Sequence, residues 1–568
     1  MSSWSDRLST SGTAPKLASA GGRSLSSRSR SLSSKSPSLW SGKRSRPPAA
    51  RTRLSVYVLL LVWAAPHPSD AQQGPQLTAN DFNIDMVIGP VLGSGRTVGL
   101  AGAYTALATG IDGAPWNPAS YASRTLWDLN WFSWEVTFNF MTPVFFAEND
   151  FDNNGQTGFK YRDFIFYTPG LRLQFGEFGL GGILHVQQYA IPPPERDRAP
   201  ARLQMIVGNY GLGYMLFNGQ VVLGLGARTA DLVVSAPPAS GGLFTPSEEL
   251  ASMTGTGPEL GALIKPAGRR FRMGIAARLP VASVIEEGTQ ASGPRREAGF
   301  VLPNEVRLPW QLQLGFAYQL GKRPMNRAWD NPHDLDDQLR IEMLARRWKR
   351  YTEQARRERS RRRGGVNRRQ SHADDRLESD VPPRAFFDQE SEAPQPGSDP
   401  YPWIEHKPRD ARWWAQEKTR RIEEEAELAL AIRRAKKRRK RQVKSLPRDY
   451  VLISAEMIVT GATKDGVGLE GFLAQRRERS GRTASFGFRV GAETEPIAHH
   501  LKIRTGLYLE PSRFRGIGYR PHVTAGFDLR LFEWDLFGWL WKFDVRLGGT
   551  ADFAPRYRNF GLGVGFWH

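Results

Sequence analysis

The chain contains no cysteine, only nine histidines, and no apolar run long enough to form a membrane-spanning helix. The first absence excludes disulfide staples, thiolate metal sites, cysteine nucleophiles and a lipidated cysteine anchor. The last excludes helical spans, because the longest apolar stretch is about a dozen residues and a span needs about 20. No nucleophile elbow is present, and no carboxylate or histidine cluster has metal-ligand spacing. The expectation is therefore no enzyme, no cofactor and no metal.

Charge is present in excess but in the wrong places for a nucleic-acid-binding fold. Against 57 acidic residues stand 78 Lys and Arg, a formal net charge of +21. Residues 1–53 hold 11 basic and one acidic residue, and 322–448 hold 34 basic and 22 acidic, so the remainder is at −1. The aromatic-rich body is close to neutral, and no nucleic-acid partner is expected.

Residues 1–50 are rich in Ser and Arg and poor in apolar side chains, so they read as a disordered leader or a start assigned too early. Arg51 and Arg53 then precede the apolar run Leu54 to Ala65, followed by Ser69-Asp70-Ala71. A charged flank, a short apolar core and small residues at the cut form an export signal over 51–71.

From Asn130 the pattern has period two. In 541–548 Trp541, Phe543, Val545 and Leu547 alternate with Lys542, Asp544, Arg546 and Gly548, and Phe560, Leu562, Val564 and Phe566 alternate with three glycines. Either a soluble sandwich or a membrane barrel alternates in this way. Export, strands of about ten residues and aromatic residues near strand ends favour a transmembrane antiparallel β-barrel, an all-β fold with apolar residues facing lipid. Alternation marks fourteen strands, at 129–145, 162–175, 178–191, 202–217, 220–235, 255–265, 271–281, 308–320, 450–461, 484–495, 501–510, 520–532, 541–553 and 559–567. Short links such as Gly176-Glu177 and Asn218-Gly219 alternate with long ones such as 236–254 and 462–483. Barrels of this kind keep short turns in the periplasm and long loops outside, which orients the chain.

Before the first strand, residues 72–128 include a run of small residues from Gly93 to Ala119, suited to a confined space such as a lumen. Arg96, Gly99, Ala101-Gly-Ala-Tyr104, Asp112 and Trp116-Asn-Pro-Ala119 stand there in an order that resembles the FadL/TodX superfamily of outer-membrane hydrophobic-compound transporters and its PorV-like relatives. The resemblance runs from about Ile88 to His568 outside 322–448. It implies an N-terminal plug, or hatch, in a 14-stranded barrel, with Arg96, Tyr104, Trp116, Asn117 and Pro118 as plug or ligand residues. It also implies a kinked early strand with a side exit to the membrane, for which Gly181 and Gly182 are the candidates. A purely structural plug turn and plain glycine alternation are the alternative readings of these residues.

The inward set expected from the alternation includes Arg228, Arg278, Glu456, Arg489, Glu493, Arg504, Asp528, Arg530, Asp544 and Arg546. Such mixed charge reads as a paired network holding a plug rather than as a greasy tunnel, though Arg489 or Arg504 could also take a carboxylate.

Residues 129–321 thus carry strands one to eight and 449–568 strands nine to fourteen. Between them 322–448 is a charged, helical or disordered insertion at a periplasmic turn, with helices over 334–363 and 410–444 and a linker over 371–408. Its basic run Arg433 to Arg441 could be a solvated tether, a contact for anionic lipid headgroups or a dock for periplasmic proteins. Two functions follow. One is a barrel embedded in outer-membrane lipid that binds or passes hydrophobic small molecules of fatty-acid type; the other is a non-transporting, PorV-like component of a secretion or envelope complex.

Overall fold

A computed structural model of the chain describes residues 74–143, 149–157, 164–191, 201–235, 249–284, 296–297, 300–363, 411–536 and 541–567. The leader, the export signal and the 371–408 linker lie outside these residues. Fourteen antiparallel strands close into a barrel: β1 Phe132–Thr142, β2 Phe164–Phe175, β3 Phe178–Ile191, β4 Ala201–Leu216, β5 Val221–Ser235, β6 Glu249–Ile264, β7 Phe271–Arg278, β8 Gln311–Gly321, β9 Tyr450–Thr460, β10 Ser485–Ile497, β11 Leu501–Pro511, β12 Tyr519–Leu536, β13 Trp541–Ala554 and β14 Tyr557–Trp567. β14 pairs with β1, Gly565 opposite Thr137, so no edge is left open.

Period-two alternation decides which side chains face out. Along β9 buried residues alternate with more exposed ones, Leu452, Ser454 and Glu456 inward, Val451 and Ile453 outward. Leu212, Leu225, Leu260 and Ile275 are among a belt of exposed apolar residues on the outer face. An apolar exterior around a closed barrel with polar residues inside is the arrangement that lipid requires. Among the described residues no helix is long and apolar enough to cross a membrane.

Two expected strands are shorter in the wall, for one reason. The segment 308–320 divides at Pro309: Glu305–Leu308 leaves the wall and β8 begins at Gln311. The segment 271–281 divides at Pro280, with Val281–Val284 leaving after β7. Proline has no N–H to give a ladder. The freed pieces form a small four-stranded sheet with Asn83–Asp85 and Gly466–Gly468, in which Asn83 pairs in parallel with both Glu305 and Gly466. This sheet ties the start of the plug to loops at the long-loop end.

The described part of the insertion holds two long helices, α2 Pro332–Arg363 and α3 Ala411–Lys444, which follow the short plug helix α1 Gly95–Gly99 in the chain. α2 and α3 run antiparallel, with Arg347 donating to Glu424 at 2.8 Å, Lys436 to Asp336 at 2.7 Å, and Trp348 and Tyr351 buried between them. The hairpin springs from the short-turn end of the barrel, where the Lys322 and Arg323 N–H groups donate to the Asp449 carbonyl.

Candidate functional site

The plug runs through the lumen with its backbone against glycines of the wall. A Cβ at Gly224 would lie 2.1 Å from the Ala119 nitrogen, and one at Gly274 2.4 Å from the Thr105 carbonyl oxygen. No side chain fits between plug and wall at these points, which accounts for much of the glycine in the strands. Asn117 caps the short helix Pro118–Tyr121 by accepting from the Ala119 N–H at 3.0 Å, and its amide donates to the wall carbonyls of Ala262 and Ile275 at 3.0 and 3.2 Å. Pro118 packs beside Gly261, and Trp116 lies under the Arg489 guanidinium, 5.0 Å from it. These three bind plug to wall. Arg96 and Tyr104 also hold to the wall, at Glu493 and Glu456, and in addition border a cavity, with the Arg96 guanidinium donating to the Tyr104 hydroxyl at 3.1 Å.

That cavity, about 820 Å³, lies between plug and short-turn end. Its walls carry Arg96, Arg172, Glu493, Lys502, Arg504, Asp528, Arg530, Asp544 and Arg546, and Lys440, Val443 and Lys444 of α3 also border it. The charges are paired: Arg504 reaches Glu493 at 2.7 Å and Asp528 at 2.5 Å, Arg530 meets Asp544, and Arg546 is 3.6 Å from the same carboxylate. Higher in the lumen Glu456 accepts from Arg489 at 3.3 Å and from the Tyr104 and Thr105 N–H groups, Arg278 is 3.3 Å from Glu259, and Arg228 donates to Gln311.

The long-loop half of the lumen is different. On β1 to β6 its inward residues include Met141, Phe164, Phe166, Tyr189, Leu203, Met205, Leu232, Val234 and Met253, all at most 2% exposed and part of one cluster, with Gln187 as a buried polar residue among them, accepting from the Tyr189 hydroxyl. This apolar sector stands apart from the mixed-charge network expected for the lumen. The charged inward residues belong mostly to β9–β13, and those of β1–β6 change from polar to apolar along their length. The sequence signal was there in Phe164, Phe166, Met205 and Met253.

At Gly181 and Gly182, the expected kink positions, the ladders are regular. Both keep regular partners on each side, Arg172 and Gly211 for Gly181, Leu171 and Tyr210 for Gly182. The ladder between β2 and β3 breaks further along. Tyr167 pairs with Val186 and Gly170 with Ile183, while Thr168 and Pro169 have no register partner on β3. Pro169 brings no N–H to this ladder. The gap faces Phe166 and His185, whose rings lie 5.6 Å apart, beside the apolar sector.

At the long-loop end Asp150, Asp152 and Glu470 are all buried, each with an oxygen within 4.8 Å of the others. This departs from the expectation that no carboxylates gather in the manner of metal ligands. Glu470 stands in the short helix α4 Leu469–Leu473, more than 300 positions from the two aspartates, so spacing alone could not join them. Burial, then repulsion within the group, pushes the Asp152 and Glu470 carboxyls well above the usual carboxylate range, and burial also raises Asp150.

No family model and no curated protein matches the chain. Among solved structures it is similar to a Pseudomonas aeruginosa FadL homologue, at 10% identity and a TM-score of 0.36 over 87% of this chain and 98% of that one. It is similar to the P. putida toluene transporter TodX at 10% identity and 0.38, over 85% and 99% of the two chains. A third is the CymD monoaromatic hydrocarbon channel, at 9% and 0.36, over 86% and 97%.

Proposed function

We propose that the protein is an outer-membrane barrel that admits hydrophobic small molecules, of fatty-acid or hydrocarbon type, into the apolar sector of its lumen and releases them sideways through the wall. The observation that carries this reading is the coincidence of that sector with the interrupted β2–β3 ladder at Thr168–Pro169. Below the plug the route is charged and bordered by α3, a poor path for an apolar solute because ion pairs there would lose solvation without gaining a partner. The interrupted stretch of ladder instead borders lipid, where such a solute is most soluble. Cells carrying the protein should take up a labelled long-chain fatty acid or toluene faster than a deletion strain, and Met205→Arg, which places a charge in the sector, should abolish the difference. Equal uptake by the deletion strain contradicts the reading.

A second reading rests on the α2–α3 hairpin. Ile341, Ile422 and Leu430 are about half exposed on it, among many Lys and Arg, as on a docking surface for a periplasmic protein or anionic lipid headgroups. Removing 332–444 should then strip co-purifying partners while leaving the barrel folded.

A further inference from the structure

A buried acid group stands at the long-loop end, away from the cavity below the plug. Asp150-Phe-Asp-Asn-Asn-Gly155 places oxygen side chains at the first, third and fifth positions and glycine at the sixth, the order of a calcium-binding loop. The backbone follows suit: the Asn154 and Gly155 N–H groups both donate to the Asp150 carboxylate at 3.0 Å, and Gly155 has a φ of 84°. Twelfth in the loop, where a bidentate Glu would stand, the sequence has Tyr161. The missing carboxylate comes from α4, where Glu470 accepts from the Phe151 N–H at 2.6 Å and lies within reach of the Asn154 amide.

The independent sign of a ligand is Asp152. It is only 7% exposed, its Oδ2 accepts from the Glu470 N–H at 3.2 Å, and its Oδ1 is a buried oxygen with no hydrogen-bond donor. A buried carboxylate oxygen left bare beside two more carboxylates is costly unless a cation completes it. Arg520 is 3.4 Å from Asp150 but is shared with Glu510, and Arg556 spends its guanidinium on the Gly155 carbonyl, so neither forms an ion pair with Asp152 or Glu470 among the described residues. We infer that Asp150, Asp152 and Glu470 form a calcium site, with Asn154 shaping the loop: its Oδ1 accepts from the Gln156 N–H at 2.7 Å and its amide donates to Glu478 at 3.0 Å. A hard, oxygen-seeking ion of this size tolerates the irregular shell that two distant loops provide, whereas magnesium demands a near-ideal octahedron. The ion would staple the loop after β1 to the loop after β9 and so fix the long-loop mouth of the barrel. Nothing in this depends on what the barrel carries.

The test uses the full chain in detergent, stripped with EGTA and then titrated with calcium chloride, following bound ⁴⁵Ca and thermal unfolding. The wild type should bind about one ion per chain and unfold at a higher temperature in calcium than in EGTA. Asp152→Asn and Glu470→Gln should each bind at least about tenfold more weakly. If either variant fails to show the heat-dependent gel shift of a folded barrel, magnesium replaces mutation as the comparison: it should give the wild type a markedly smaller rise than calcium at equal concentration. A wild type that neither binds calcium nor gains stability overturns the inference, as do folded variants that bind as tightly as the wild type or equal effects of the two ions.

Discussion

Arg96, on the plug, donates through Nε to Glu493, on the barrel wall, at 3.0 Å, joining residues 397 positions apart in the chain. Glu493 is shared: Arg504 also donates to it, and so does the Tyr450 hydroxyl at 2.8 Å. One buried carboxylate thus holds the plug, two wall strands and the roof of the cavity together.

Replacing Glu493 with Ala leaves two guanidinium groups facing each other without their common partner. Breaking a buried pair from one side costs about 3–5 kcal/mol, so Glu493→Ala should lower the unfolding temperature and expose the plug to protease. Arg96→Ala combined with Glu493→Ala should recover part of the loss, measured as a double-mutant cycle. Strict additivity would show that the pair does not couple plug to wall.

The contact between plug and wall is steric as well as electrostatic. Gly224→Val places branched carbon where the Ala119 nitrogen now lies 2.1 Å from a Cβ position, so the plug must shift. Liposomes carrying this variant should swell faster in small sugars than those carrying the wild type. An unchanged rate would mean that the plug yields without opening a path.

On the lipid face the sign of the effect depends on depth and chemistry. Leu260, 57% exposed on β6, should lose about 2–4 kcal/mol on substitution by Arg if it sits near the bilayer midplane. Ile422→Arg, equally exposed on α3, should change folding in lipid by less than about 0.5 kcal/mol. Folding titrations in bilayers separate the two, and equal losses would remove the membrane assignment of the barrel face.

Alternation made the wall legible because every strand repeats the same two-residue rule; β3, for example, has the same limits, Phe178 and Ile191, in pattern and structure. What escaped was non-local. Asn83–Asp85 is three residues long and owes its existence to parallel partners more than 200 positions away, which no local period records. The division at Pro280 and Pro309 was present in the sequence but overridden by the continuing apolar pattern. The apolar sector escaped because Lys, Arg and Asp on β11–β13 dominated the inward set, and the acid group because its third member comes from another loop. The plug residues divide in a way that their motif does not encode: Asn117 and Pro118 seal against the wall, whereas Arg96 and Tyr104 join the wall and also border the cavity.

The lateral route can be locked directly, because the chain has no cysteine of its own. Continuing the register of Tyr167–Val186 and Gly170–Ile183 across the unpaired stretch puts Thr168 opposite His185. In the Thr168→Cys, His185→Cys double variant, oxidation should close the gap and reduce uptake of a labelled long-chain fatty acid to the level of a deletion strain, with recovery on reduction. Uptake that is the same in the oxidised and reduced protein, with the disulfide confirmed, would contradict release through the wall.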